Sequence, residues 1–446
     1  MGTRFRPYHP DQNYLLPPSP ADWLPPGHMA YFISDSVDSL ELSAFYERYE
    51  GDGRRNNPYD PAMLLKVLIY AYASGVFSSR QIARKLEEDV AFRVLGANNY
   101  PDHRTINRFR QQHLNDFQQI FLQVVLLAQE LKLLKLGTLV LDGTKLRANA
   151  SKHKAMSYGR MQQEEARLRQ EIQALSERAE CADAAEDEAY GAQRRGDEIP
   201  EELRFRQQRL EQIEAAKRRL EERQKQADRE AGRRENDNND VSGPRRQGGR
   251  SKYRRTFGEV PDKQQDNFTD PESRIMKTSD GFQQCYNAQV AVEGESRLIV
   301  ASEVEQCAAD NGCLVTMTAA AENNCGAKPE RVLADAGYRS EEGFQQLARE
   351  GITAYVSLGR EGKAEPQGWS KSDQPATLAM RRRLASKRGQ QWYRKRKSVV
   401  EPVFGWIKQV LGFRRFSLRG LDRVRGEWQL ICASLNLKRL WKLAGG

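Results

Sequence analysis

The chain has 446 residues but only five histidines and six cysteines, and no two cysteines form a C-x2-C pair. Zinc-site spacing is therefore absent, and the thiols read as free side chains in a reducing, cytoplasmic setting. No run approaches the roughly 18–20 apolar residues that a spanning helix needs. The opening stretch, MGTRFRPYHPDQNYLLPPSP, has no apolar core of a secretory signal, and Arg6 stands where a myristoylation pattern wants Ser or Thr. These absences predict a cytoplasmic protein with no membrane partner. Acid is also scarce, but only locally. Between Arg381 and Gly446 there are 18 Lys and Arg against three Asp and Glu, whereas the whole chain has 71 against 61. The C-terminal segment carries all of the net charge of +10. Such an end points to a polyanion, nucleic acid first. It lacks the clean Lys-rich amphipathic stripe of a membrane-surface helix.

The length suggests two to three domains. Residues 1–57, rich in Pro and Tyr, read as an extended arm with one short helix near Asp38–Tyr49. Residues 58–130 show helical periodicity. Met63, Leu64, Val67, Leu68, Tyr70 and Ala71 share a face, and Ser78-Ser79-Arg80-Gln81 forms a capping box before a helix carrying Ile82, Leu86, Val90 and Val94. After Pro101-Asp102, a third helix opens near Thr105 with Ile106 and Phe109 and continues toward Phe117 and Phe121. The last two resemble a helix-turn-helix, but the link exceeds the roughly 3–4-residue turn of that motif. Both DNA contact and plain helical packing fit this region.

Residues 156–235 are dense in Glu, Gln, Arg and Ala. Met161, Leu168, Ile172 and Leu175, then Leu203, Leu210, Ile213 and Leu220, keep three-to-four spacing. This predicts an inserted, coiled-coil-like antiparallel helical hairpin. Residues 236–270 break the periodicity and read as a basic flexible linker, placed against DNA or merely solvated. Residues 131–155 and 271–446 hold apolar runs alternating with helical patterns: a strand, a hairpin, then helix, strand, helix, strand, helix. That order fits an α/β fold with a mixed sheet flanked by helices.

Two acids stand at the ends of apolar runs. Asp142 follows Leu139-Val140-Leu141, and Asp335 follows Val332-Leu333-Ala334. Small residues after each would let the chain turn and keep the carboxylate open. Glu401 is nearly alone in the basic segment. Three converging carboxylates repel unless cations neutralise them, and hard divalent ions, Mg²⁺ or Mn²⁺, suit oxygen ligands. Two such ions about 3.5–4 Å apart can activate a water or a 3′-hydroxyl and stabilise the leaving oxygen of a phosphodiester. Lys408 lies seven residues after Glu401, which on an α-helix is nearly the same face. Lys145 and Arg339 would reach flanking phosphates, and Trp406 would stack on a flipped base or else join the core. A lone Asp after a strand is commonly a turn residue, so context must carry the case.

That context is familiar. LVLDGTKLRANAS, YNAQVAV, VLADAGYRS and VEPVFGWIKQVLGFRRFSLRG resemble the DDE transposases of bacterial insertion sequences, in the branch with a helical insertion after the first aspartate. PYDPAMLLKVLIYAYASGVFSSRQIA and PDHRTINRFR extend the resemblance to the N-terminal region. The resemblance implies an RNase H-like catalytic domain beside an all-α N-terminal domain, with Asp142, Asp335 and Glu401 as catalytic metal ligands for Mg²⁺ or Mn²⁺, two ions in all. It implies double-stranded DNA as partner, both transposon ends and target, and a homodimer on DNA. Such families carry a Tyr-x2-Arg-x3-Glu-x6-Lys pattern. Glu401 and Lys408 match it. Tyr393 and Arg396 match each other, but four residues separate Arg396 from Glu401, and the strict position holds Lys397. The alternatives are a transposase-derived, non-catalytic DNA-binding regulator and an RNase H-like structure-specific nuclease.

Overall fold

A computed structural model describes residues 19, 22–49, 57–190, 201–233, 256–359 and 374–445. The chain divides into two compact units, 1–146 with 286–446, and 147–285. Among the described residues no helix is long and apolar enough to cross a membrane.

The first unit begins with seven helices: α1 (Met29–Asp38), α2 (Ser43–Glu47), α3 (Pro61–Ala73), α4 (Ser79–Glu88), α5 (Val90–Leu95), α6 (His103–Gln112) and α7 (Asp116–Glu130). The segment expected as an extended arm thus holds two helices. Ile33, Val37 and Phe45 are buried, so packing rather than Pro content decides that stretch. α3 starts where Asp60 accepts from the Met63 N–H and Pro61 fills the first turn, a position that needs no donor. It is apolar nearly all round and accordingly buried. The expected helix over 79–95 breaks at Asp89, whose side chain accepts from the Ala91 N–H and starts α5. The helix expected from Thr105 toward Phe121 is two, α6 and α7, separated at His113.

β1 (Thr138–Arg147) follows, and the chain passes into the second unit through β2 (Ala155–Ser157), α8 (Tyr158–Tyr190), α9 (Glu201–Glu230), β3 (Gln265–Asn267) and β4 (Arg274–Thr278). α8 and α9 pack as an antiparallel pair. Met161, Leu168, Ile213, Ala216 and Leu220 form their seam, with Arg206–Glu171 and Lys217–Glu165 ion pairs alongside. The segment expected as linker lies partly outside the described residues, and its end is ordered: β3 pairs antiparallel with β2. Asp266 on β3 is buried because Arg219 and Arg223 of α9 both bind it at 2.7 Å.

β5 (Gly281–Glu293) leads back to the first unit, where β6 (Ile299–Glu305), α10 (Cys313–Cys325), β7 (Arg331–Ala334), α11 (Glu341–Arg349), β8 (Thr353–Val356), α12 (Pro375–Ala385), α13 (Lys387–Gly405) and α14 (Leu421–Leu443) follow. The sheet of this unit runs β6-β5-β1-β7-β8. β5 and β6 are antiparallel, whereas β1, β7 and β8 are parallel, so the fold is mixed α/β with 14 helices among the described residues.

α14 is the centre of this unit, packed against α3, α7 and β6. Asn436 on α14 offers its amide to the exposed backbone of β6, accepting from the Ile299 N–H at 2.9 Å and donating to the Ile299 carbonyl at 2.7 Å. That seals an edge that would otherwise remain unpaired. One turn and more earlier, the fully buried Glu427 accepts from the Ser417 and Leu418 N–H groups at 2.9 and 3.2 Å and from the Tyr72 hydroxyl at 3.4 Å. Tyr72 in turn accepts from Arg110 at 3.0 Å. Burial holds the Tyr72 phenol neutral, and the charges of Glu427 and Arg110 balance across it. Glu427→Ala strands a buried cation and two backbone donors, so it should destabilise the protein by about 3–5 kcal/mol in urea unfolding. Glu427→Gln should cost less, and equal stability of all three proteins would show the network to be dispensable.

Candidate active site

β1 and β7 are parallel neighbours with Val140 opposite Leu333. Carrying that register two residues further sets Asp142 beside Asp335. Asp142 does not end its strand, as its position after the apolar run suggests. β1 continues to Arg147 because its second half still has β5 to pair with. Asp335 does end β7: its side chain accepts from the Gly337 N–H at 2.8 Å and caps the short 3-10 turn Ala336–Tyr338.

The Asp142 carboxylate accepts from the Gly143 N–H at 2.9 Å and faces the Arg396 guanidinium at 3.4 Å. Its pKa is pushed up to about 6, first by burial and then by the negative charge of Asp335. Arg396 and the Gly143 N–H oppose this, and Asp310 adds to it. Two carboxylates that disfavour each other in a half-buried place, with hard oxygen donors, fit a divalent cation. Arg396 is buried on α13, over the Tyr393 ring at 5.8 Å. Burial works against its charge, but Tyr393, Asp142 and Asp335 outweigh that and raise its pKa.

The other expected residues are spread around this pair. Glu401 is exposed on α13, and among the described residues no group of three His, Cys, Asp or Glu side chains stands ready to hold a metal. Pro402 interrupts the backbone ladder, and Trp406–Val410 continue as a π turn. Lys408 thus sits inside the π turn, beyond the regular α-helix that carries Glu401. Lys408 instead donates to the Lys145 carbonyl at 3.3 Å. Arg339 donates to the Leu358 carbonyl at 3.4 Å. Trp406 has the Lys442 and Lys438 ammonium groups 4.6 and 5.3 Å from its ring centre, and it lines a cavity of about 250 Å³ with Arg297 and Arg439.

Residue-by-residue reading missed a second set. Asn287 and Gln289 of β5 donate to Asp310 Oδ1 at 2.7 and 2.6 Å, and the Tyr338 hydroxyl donates to Gln289 Oε1. A usable signal existed: Asn287 and Gln289 alternate with Tyr286, Ala288 and Val290 in the buried stretch of β5, so their amides share one face and need a buried acceptor.

Comparison with known families matches residues 18–112 to the Transposase domain (DUF772) and residues 237–437 to the Transposase DDE domain. The chain is an insertion-sequence DDE transposase. The second match covers β3 through α14 up to Leu437 and so takes in Asp335, Arg396 and Glu401, while Asp142 lies ahead of it. Neither curated proteins nor solved structures return a match. DDE transposases act on DNA and generally use divalent metal ions.

The raised pKa of Asp142 has a signed consequence in metal-free protein. Its folded value of about 6 lies above its ordinary 3.8, so the folded state holds the proton more tightly than the unfolded one. The stability this contributes is complete below about pH 4 and is lost as the pH rises to about 6. Wild type should lose about 2–3 kcal/mol relative to Asp142→Asn between pH 4 and pH 7. Urea unfolding of both proteins at several pH values measures this, and parallel curves would contradict the assignment.

Proposed function

We propose that the chain cuts DNA at transposon ends and joins the freed ends to target DNA, through an RNase H-like domain whose acidic centre is Asp142, Asp335 and Glu401. The observation that carries this reading is the pairing of β1 with β7, which sets two half-buried carboxylates side by side under the Arg396 cation. The sheet supports it: the antiparallel β5–β6 pair lies beside β1, and β7 and β8 continue parallel to β1 with α11 between them.

Asp142, Asp335 and Glu401 would hold Mg²⁺ or Mn²⁺, probed most simply as a two-ion centre, which supplies nucleophile activation and charge neutralisation when bound. The chain's own groups do the rest. Arg396 keeps Asp142 oriented and limits the repulsion between the two carboxylates. Tyr393 stacks beneath Arg396 and fixes its guanidinium. Lys145 and Lys408 place two ammonium groups near β1, where a phosphodiester backbone would be held. A water attacks the phosphorus at the transposon end, and the P–O3′ bond breaks to leave a 3′-hydroxyl on the transposon and a 5′-phosphate on the flanking strand. That hydroxyl attacks a target phosphodiester and expels a target 3′-hydroxyl, so one P–O bond forms as another breaks and no covalent protein–DNA bond forms.

The basic C-terminal segment grips the backbone, and the helices of residues 58–130 contact end DNA. Joining two ends requires them to be held together, so a homodimer forms on DNA. The α8–α9 pair serves DNA or subunit contacts. The chain works in the cytoplasm on the nucleoid.

Ala substitution at Asp142, Asp335 or Glu401 should lower cleavage of the element's end DNA in Mg²⁺ by about 1,000-fold or more while leaving DNA binding intact. Gel resolution of nicked, hairpin and joined products also separates this reading from a simple nuclease, which makes nicks and no joined product. An Asp335→Ala protein that still cuts would overturn the triad.

A further inference from the structure

Asp310 lies in the loop between β6 and α10, outside the residues that the sequence patterns single out. Its Oδ1 takes both amide donors of β5, Asn287 Nδ2 at 2.7 Å and Gln289 Nε2 at 2.6 Å. Asn287 Nδ2 also donates to the Cys307 carbonyl at 3.1 Å, which ties the loop down on its other side. The Tyr338 hydroxyl, buried next to Asp335, holds the far oxygen of Gln289. Asp310 is therefore fixed in place by residues of β5 and of the turn after β7.

Its position explains two glycines. A Cβ on Gly143, directly after Asp142, would collide with the Gln289 side chain and come within 2.9 Å of Asp310 Oδ1. A Cβ on Gly337, two residues after Asp335, would come within 2.8 Å of Asp310 Oδ2 and 3.0 Å of Asp335 Oδ1. The Asp310 carboxylate thus fills the gap between Gly143 inside β1 and the Gly337 turn after β7. Those glycines admit it, rather than merely letting the chain turn.

The choice of a carboxylate here is costly. Both donors bind one oxygen, and the oxygen of an asparagine would accept them equally well. A third negative charge beside Asp142 and Asp335 destabilises the folded chain unless a cation is drawn in. We propose that Asp310 is a positioning residue of the metal centre: clamped by Asn287 and Gln289, it spaces Gly143 of β1 from the Gly337 turn and adds the negative charge that draws the divalent ion to Asp142 and Asp335. The inference rests on the reading of Asp142 and Asp335 as metal ligands.

The test uses the full chain without DNA, titrated with Mn²⁺ and followed by electron paramagnetic resonance, alongside thermal unfolding and end-DNA binding. Asp310→Asn keeps the acceptor and removes the charge. It should unfold like wild type and bind DNA normally, yet bind Mn²⁺ on the order of tenfold more weakly, and its cleavage should recover with excess metal. A merely structural Asp310 predicts the opposite pattern, with Asp310→Asn silent and only Asp310→Ala impaired, and that result overturns the inference. Should Asp310→Asn fail to fold, Gly337→Ala presses on the other carboxylate oxygen, Asp310 Oδ2, from an exposed position and must also weaken Mn²⁺ binding; unchanged binding overturns the inference. Asp142→Ala separates the two levels. If it binds Mn²⁺ like wild type, the metal reading itself fails. If it loses Mn²⁺ while Asp310→Asn and Gly337→Ala do not, only the role of Asp310 falls.

Discussion

Two negative charges on adjacent parallel strands are the constraint around which the α/β part of the chain is arranged. The register of β1 against β7 sets Asp142 next to Asp335, where burial and mutual repulsion push the Asp142 carboxyl up to about 6. A fold can keep such a pair only if the rest of the structure is stable enough to hold it. Arg396 offsets part of the repulsion from α13, and the Gly143 and Gly337 N–H groups offset more by donating to the carboxylates. What remains is an unmet demand for positive charge at one point, the property a metal-dependent phosphoryl-transfer site needs before any ion arrives.

The stability that keeps this arrangement in place comes from α14. It buries Trp428, Leu430, Ile431, Cys432 and Leu437, and its polar groups are spent inward: Glu427 on backbone donors and Tyr72, Asn436 on the edge of β6, Trp428 Nε1 on the Gln289 carbonyl at 3.1 Å. That last bond reaches the strand whose side chain clamps Asp310. The helix that ends the fold therefore also braces β5 behind the acidic pair. The same basic segment that suggests a polyanion partner is in large part a core element, with its Lys and Arg at the rim.

The elements were legible where pattern and packing agree. The α8–α9 seam, the β5–β6 hairpin and the strand before Asp335 follow directly from their spacing. The N-terminal segment was legible in part: α2 falls within the short helix expected near Asp38–Tyr49, whereas α1 depends on burying Ile33 and Val37 against helices far along the chain. Among the site residues, Asp142, Asp335, Arg396 and Tyr393 lie together, while Lys408 sits in a π turn that α-helical spacing does not describe. Asp310 escaped notice because nothing local marks it; its meaning lies in two amides more than 20 residues earlier in the chain.

By itself the sequence determined the family resemblance: acids that follow apolar runs, a basic C-terminal segment suited to a polyanion, and motifs of the DDE transposases. Those are properties of residue type and near-neighbour spacing, which persist whatever the chain does at long range. Only the tertiary structure decided which carboxylates share a field, which arginine answers them and why glycine follows each aspartate. These depend on strand register and on contacts between residues up to 254 positions apart, as for Arg396 and Asp142. Electrostatic repulsion and steric fit act through distance in space, and separation along the chain does not encode that distance.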